Sequence, residues 1–189
     1  FELLRVDPER AHRVLICDPD RHVAGLIENA ASASLVAADE AELMRLLRRI
    51  KAEAALLIAL CDIGGVWPVM RVTEALSELA FASVQCAVRF QLAQEAARGR
   101  LQAPDLNRPE TGSGFVVLAM GKMGAGELNY SSDIDLIVFF QRDGTTLKDD
   151  IEPQTFFVRI AQGIARLLQQ RTSDGYVFRV DLRLRRGRE

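Results

Sequence analysis

Charge of one sign is what this 189-residue sequence has least of. Its 24 Lys and Arg stand against 26 Asp and Glu, a formal net charge of -2. So small a charge excludes a generic polyanion binder, because non-specific affinity for nucleic acid is mostly cationic charge. No apolar run approaches the roughly eighteen residues that span a bilayer. Three cysteines, Cys17, Cys61 and Cys86, are scattered and odd in number, which leaves neither a disulfide framework nor a CxxC zinc knuckle. The opening Phe1-Glu2-Leu3-Leu4 lacks an initiator Met and the charged-then-apolar layout of a signal peptide. These absences lead to the expectation of a soluble, cytoplasmic domain with no membrane or nucleic-acid partner, and of a piece of something longer. What is present, 49% hydrophobic and 26% charged residues, is the ordinary globular balance and suits one domain or one and a half.

The pattern changes near residue 110. Before it the spacing is helical. Asp39 is a natural N-cap for a stripe of Leu43, Leu46, Leu47, Ile50, Ala54, Leu57 and Ile58, with Glu42, Arg45, Arg48, Arg49, Lys51 and Glu53 on the polar side. Gly64-Gly65 ends that helix. A second long helix is expected from Val69 to Arg98, with Pro68 at its start, Gly99 as its stop and a kink or break near Ser83. Its apolar face holds Val72, Leu76, Leu79, Phe81, Val84, Val88 and Leu92. Upstream, Pro8 to Ser34 reads as one or two shorter helices. Residues 101–114, with Pro104, Pro109, Gly112 and Gly114, form a turn-rich linker.

Beyond it, Phe115-Val-Val-Leu-Ala-Met120 is a continuously apolar run that reads as a buried strand. A loop or short helix over 122–131 leads to a second strand from Asp133 to Phe140. After a turn at Asp143-Gly144, Pro153 to Gln170 returns to helical spacing. A turn at Asp174-Gly175 precedes a third strand from Tyr176 to Arg185. The fold class is therefore α+β: a helical region over 1–110, then a compact β–(loop or helix)–β–α–β unit over 111–189.

The chemistry sits in that second unit. On a strand the two carboxylates of Asp133-Ile134-Asp135 point to one face and Ile134 to the other. Asp is depleted in strands, so the pair needs a reason, unless it merely marks a solvated strand end. In the last strand Arg179, Asp181, Arg183 and Arg185 share one face and Val180, Leu182 and Leu184 the other. With the two strands adjacent, three carboxylates about 5 Å apart would repel by roughly 3 kcal/mol per pair at an effective dielectric of ~20. A cation or a raised pKa would relieve that. Hard oxygen ligands flanked by arginines suit Mg²⁺ and a phosphate substrate better than zinc. The bland alternative for the arginines is a solvated edge strand. The third element is Gly121-Lys122-Met123-Gly124-Ala125-Gly126, a glycine turn after a strand whose N–H groups suit phosphate, though it matches neither a Walker loop nor a dinucleotide fingerprint.

A Gly at a strand end, eleven residues, Asp133-x-Asp135 and a later Asp181 together resemble the nucleotidyltransferase superfamily typified by DNA polymerase beta. The wording from Gly121 to Leu136, with Asp174-Gly-Tyr-Val-Phe-Arg-Val-Asp-Leu-Arg-Leu-Arg185, is similar to the bifunctional glutamine synthetase adenylyltransferase/deadenylyltransferase family. Met123, Ala125-Gly126 and Arg186-Gly187 depart from its usual wording. Leu128-Asn-Tyr-Ser-Ser-Asp-Ile-Asp135 is closer to the family's N-terminal copy, which removes AMP from a tyrosine of glutamine synthetase by phosphorolysis, than to the copy that adds AMP from ATP.

The resemblance implies a palm-like catalytic unit with two Mg²⁺ ions held by Asp133, Asp135 and Asp181. It further implies nucleotide or phosphate contacts from Gly121, Lys122, Arg179 and Arg183. The implied partners are glutamine synthetase, ATP or ADP and phosphate, with the PII signalling protein as a further candidate. Other readings are the adenylylating copy, a non-catalytic nucleotide-binding fragment, a polymerase, which the weak charge disfavours, or an antibiotic nucleotidyltransferase. The remaining chemical residues read blandly: His12 and His22 as exposed, Trp67 as core or a helix staple, and the cysteines as inert.

Overall fold

The computed structural model describes residues 7–105, 107–141, 147–148 and 150–186, with the side chains of 184–186 left aside. Four helices come first: α1 (Pro8–Ile16), α2 (Pro19–Val36), α3 (Glu40–Ile63) and α4 (Val69–Ala97). Two Asp-Pro pairs divide the upstream stretch. The Asp7 and Asp18 carboxylates accept from Arg10 N and Arg21 N, and each following Pro takes the first helical turn, where no N–H is needed. Asp39 caps α3 as expected, accepting from Glu42 N at 2.8 Å. Helix α4 runs unbroken through Ser83. That residue is buried and its hydroxyl donates to Leu79 O one turn back, which satisfies it without opening the helix. Phe81, expected on the apolar face of α4, is 46% exposed.

The second unit follows as β1 (Phe115–Met120), the one-turn α5 (Gly121–Gly124), β2 (Ile134–Phe140), α6 (Pro153–Gln169) and β3 (Val180–Arg186). The sheet order is β1-β2-β3, with β1 antiparallel and β3 parallel to the central β2. The α6 crossover is what a parallel β2–β3 pair requires. Phe157 of α6 packs against Phe115 and Phe140, ring centroids 5.5 and 5.2 Å away, and closes one face of the sheet. Buried apolar side chains form one cluster from Val14 to Phe178, so α3 and α4 pack on α6 and through it on the strands.

Three expectations are corrected. Strand β1 is covered on one face only: Val116, Leu118 and Met120 are exposed, because it lies at the sheet edge and the helices pack on the other side. Strand β3 begins at Val180 and not at Tyr176. Val177 and Phe178 are consecutive buried residues, which strand alternation forbids, and both their N–H groups donate to Leu168 O at the end of α6. Arg48, expected on the polar side of α3, is 1% exposed. Its guanidinium donates to Met44 O, Gly175 O and Gln170 O, tying α3 to the turn before β3. Its neutral form is promoted by burial, which lowers the pKa, while Asp174 opposes this. The turn expected at Asp143-Gly144 lies outside the described residues.

Candidate active site

Parallel pairing sets Asp135 of β2 directly beside Asp181 of β3, and antiparallel pairing sets Met120 on the other side of Asp135. Ile134 and Leu136 are buried in the core, so strand alternation turns Asp135 to the open face of the sheet. Gly121 follows Met120 immediately. Its φ is +54°, and a Cβ there would lie 2.7 Å from Asp135 Oδ2. The positive φ favours glycine, and a side chain there would also displace the Asp135 carboxylate resting against it. Gly124 is as constrained, since a Cβ would meet Ala119 O at 2.5 Å. The glycine turn and the first acid are thus one fitted unit. A cleft of about 160 Å³ opens there, with Gly121, Asp135, Asp181 and Arg183 among its walls.

Asp133 lies just before β2 and takes a different partner. Arg179 Nε donates to its carboxylate and Nη2 donates to Ser131 O at 2.9 Å. The carboxylate raises the Arg179 pKa. Arg179 itself lies just before β3, and its carbonyl accepts from Ile134 N at 2.9 Å. Arg179 was expected beside Asp181 on the strand; it clamps the loop that carries Asp133. Arg183 keeps its expected place, 3.5 Å from Asp181, and both are largely exposed. Lys122 is exposed in α5. The side chain of Arg185 lies outside the described residues.

The structure therefore brings Asp135 and Asp181 together and holds Asp133 on a guanidinium. Among the described residues no three His, Cys, Asp or Glu side chains are gathered tightly enough to form a ready metal cluster. The donor set nonetheless fits a hard divalent cation. Two carboxylates in register share a glycine-lined cleft, with no His or Cys among the described residues of its walls, and Asp133 lies on the loop that leads into β2.

Sequence reasoning missed what holds that loop. Ser77, buried in α4, accepts from Leu128 N at 3.0 Å and donates to Thr73 O. Tyr130 donates to Asp62 at the end of α3, 3.1 Å away. Burial and that hydrogen bond push the tyrosine up to about 12. No local signal marks such pairings, which join residues 51 and 68 positions apart. Glu95 was missed as well: it is 3% exposed and takes hydrogen bonds from Arg98, Arg100 and Arg159. Burial raises its pKa, but those arginines outweigh this and hold it below the usual glutamate value.

Of the bland readings elsewhere, His12 is exposed and Trp67 buried as expected, whereas His22 is half-buried. His22 pairs with Glu53 at 2.8 Å, Trp67 is buried under Arg71, and burial pushes all three thiols up. No helix among the described residues is long and apolar enough to cross a membrane.

Comparison with known proteins gives the same direction as the site. The family model described as glutamate-ammonia ligase adenylyltransferase matches residues 16–188. The chain is 70% identical over 185 residues to a bifunctional glutamine synthetase adenylyltransferase/adenylyl-removing enzyme of Bradyrhizobium diazoefficiens. Proteins of the same description from Rhodopseudomonas palustris and Xanthobacter autotrophicus are 64% and 51% identical. Each alignment covers 98% of this chain and 19% of the relative, so the chain spans about a fifth of the length of the curated relatives it matches. With nearly its whole length inside that family model, the chain belongs to the glutamate-ammonia ligase adenylyltransferase family.

Proposed function

We propose that this chain is a nucleotidyltransferase catalytic unit that removes AMP from adenylylated glutamine synthetase by phosphorolysis. One observation carries the reading: Asp135 and Asp181 stand in register on neighbouring strands, at the mouth of a glycine turn whose Gly121 has a positive φ and rests against the Asp135 carboxylate. Two like charges side by side with a phosphate-sized cleft between them favour a divalent cation and a phosphorylated substrate.

In this reaction an oxygen of inorganic phosphate forms a bond to the AMP phosphorus, and the bond from phosphorus to the tyrosyl oxygen breaks. The electron pair leaves with the tyrosyl oxygen, which takes a proton, and the products are ADP and free tyrosine. Asp133, Asp135 and Asp181 would hold Mg²⁺, which when bound offsets the charge on the phosphate oxygens. The chain's own groups do the rest. Gly121 brings backbone close to the phosphates, with Lys122 beside it as a cation. Arg183, on the open face next to Asp181, suits the attacking phosphate. In the reverse direction Asp181 is placed to take the tyrosyl proton. Arg179 acts at one remove from the reacting atoms, its guanidinium donating directly to the Asp133 carboxylate and to the Ser131 carbonyl of the same loop.

The direction of transfer rests on the Leu128 to Asp135 wording. Supplied with adenylylated glutamine synthetase and Mg²⁺, the protein should release ADP in proportion to added phosphate, and Arg183→Ala should raise the KM for phosphate. AMP transfer from ATP onto unmodified glutamine synthetase, without phosphate-dependent ADP release, would reverse the assignment. Nucleotide binding with no turnover in either direction would make this a regulatory module.

A further inference from the structure

The open face of the sheet is graded. Successive outward residues of β1, Val116, Leu118 and Met120, are 50%, 45% and 43% exposed. Their cross-strand neighbours on β2 are Phe139, Ile137 and Asp135 in turn, and the next neighbour beyond Ile137 is Arg183 of β3. An apolar strip therefore runs along β1 and β2 and ends at the acid pair, with the cationic side on β3. Met120 belongs to both, since it ends the strip and lines the acid cleft. Three outward apolar residues in a row on an edge strand are a liability in water and an aggregation hazard unless something covers them.

From this continuity, and resting on the reading above, we infer that the strip is the docking surface for the polypeptide substrate that bears the adenylylated tyrosine. The cleft, at about 160 Å³, has room for the reacting phosphates and little else. A macromolecular substrate must then lie outside it, and its path to Asp135 and Asp181 crosses either the apolar strip or the β3 side. On the open face β3 presents Arg183, which suits the anions, whereas β1 presents the apolar strip, which suits the apolar side chains flanking the tyrosine. A second copy of this chain is a poorer occupant. A second copy seated on Val116, Leu118 and Met120 would also close the cleft that Met120 lines, and the acids would lose access to substrate.

The test uses the intact protein with Val116→Lys/Leu118→Lys, and Val116→Thr/Leu118→Thr as a milder, strand-compatible change. Three quantities are read: direct binding of adenylylated glutamine synthetase, turnover of a small adenylylated tyrosine amide, and the KM for phosphate. The expected result is a loss of protein-substrate affinity of roughly tenfold or more for Val116→Lys/Leu118→Lys, smaller for Val116→Thr/Leu118→Thr. Turnover of the small substrate and the KM for phosphate should stay unchanged. Unaltered protein binding overturns the inference, as does an equal loss on both substrates, which would place the strip in the nucleotide site. Sedimentation showing a wild-type dimer that these changes dissociate would make the strip a self-interface and overturn it. Failure of both variants to fold would show that the strip is covered within the protein, with the same consequence. Wild-type protein that binds the adenylylated substrate through the strip without turning it over would remove the proposed activity and leave the docking surface standing.

Discussion

The helical region and the sheet region treat charge in opposite ways. In the helices, the two charged side chains most deeply withdrawn from water are paired: Arg48 donates to three carbonyls, and Glu95 takes three arginines. Both also reach across to the second unit, Arg48 to Gln170 and Gly175, Glu95 to Arg159. At the strand ends, by contrast, Asp135 and Asp181 stand side by side in partial exposure, with Arg183 at 3.5 Å from Asp181 as the nearby cation. Buried, satisfied charge fixes how the two regions meet, since a misplaced partner leaves a desolvated ion. Exposed like charge does nothing for folding, so the acid pair needs another reason to be there, and the proposed cation is one. The difference teaches which charges are structural and which are chemical.

The sharpest way to break that division is Asp135→Asn. With the acid pair relieved, stability measured without metal should stay the same or rise, while turnover should collapse. Losing several kcal/mol of metal-borne charge stabilisation corresponds to about a thousandfold in rate. A melting temperature that drops markedly in the presence of a chelator would place Asp135 among the structural charges. The same acid should make nucleotide binding metal-dependent, so ADP should raise the melting temperature with Mg²⁺ and do little with a chelator.

The opposite test is Arg48→Met, which keeps much of the length and removes every donor. Three carbonyls then lose their partner in a buried setting, and the expected loss is about 2–4 kcal/mol, read by denaturant unfolding. Because Arg48 is not among the cleft walls, kcat per folded molecule should be unchanged. A variant as stable as the parent would mean that the carbonyls find water, and that Arg48 is no tie between the regions.

How far this was legible in the sequence follows the same line. The helices with strong caps and stripes were readable because their causes are local: Asp39 caps its own next turn, and Gly99 stops α4 with a φ of +66°. The strands with acids were readable because alternation is a period of two, and it put Asp135 and Asp181 on the open face. Tyr176 to Arg179 was misread because the Val177 and Phe178 N–H groups go to Leu168 O at the end of α6, and bonding to β2 starts only at the Arg179 carbonyl. Arg48 was misread because helical spacing separates faces but does not say what packs on the polar one. The site was half legible. Asp135, Asp181, Gly121 and Arg183 converge, but Arg179 turned out to hold Asp133, and the Ser77 and Tyr130 props join residues that only the folded chain brings together.

The finest test concerns the Tyr130 prop, which lies on the boundary between the two regions. The ring is half exposed, so its hydrogen bond to Asp62 is screened by water and contributes at most about 1 kcal/mol. Tyr130→Phe should therefore barely change the melting temperature at neutral pH. The effect on pH dependence is more telling. Folding raises this hydroxyl to about 12, above the ordinary tyrosine value near 10. The unfolded chain thus gives up the proton first, and the stabilisation is intact below about pH 10 and fades as the pH rises from there to 12. Wild type and Tyr130→Phe should differ by a constant small amount up to about pH 10 and converge above it. Stability curves that stay parallel through that window would show that Tyr130 does not donate to Asp62. Ser77 and the buried Leu128 side chain would then tie the loop before Asp133 to the helical region, and Ser77→Ala, which leaves the buried Leu128 N–H without its partner, would be the larger perturbation of the two.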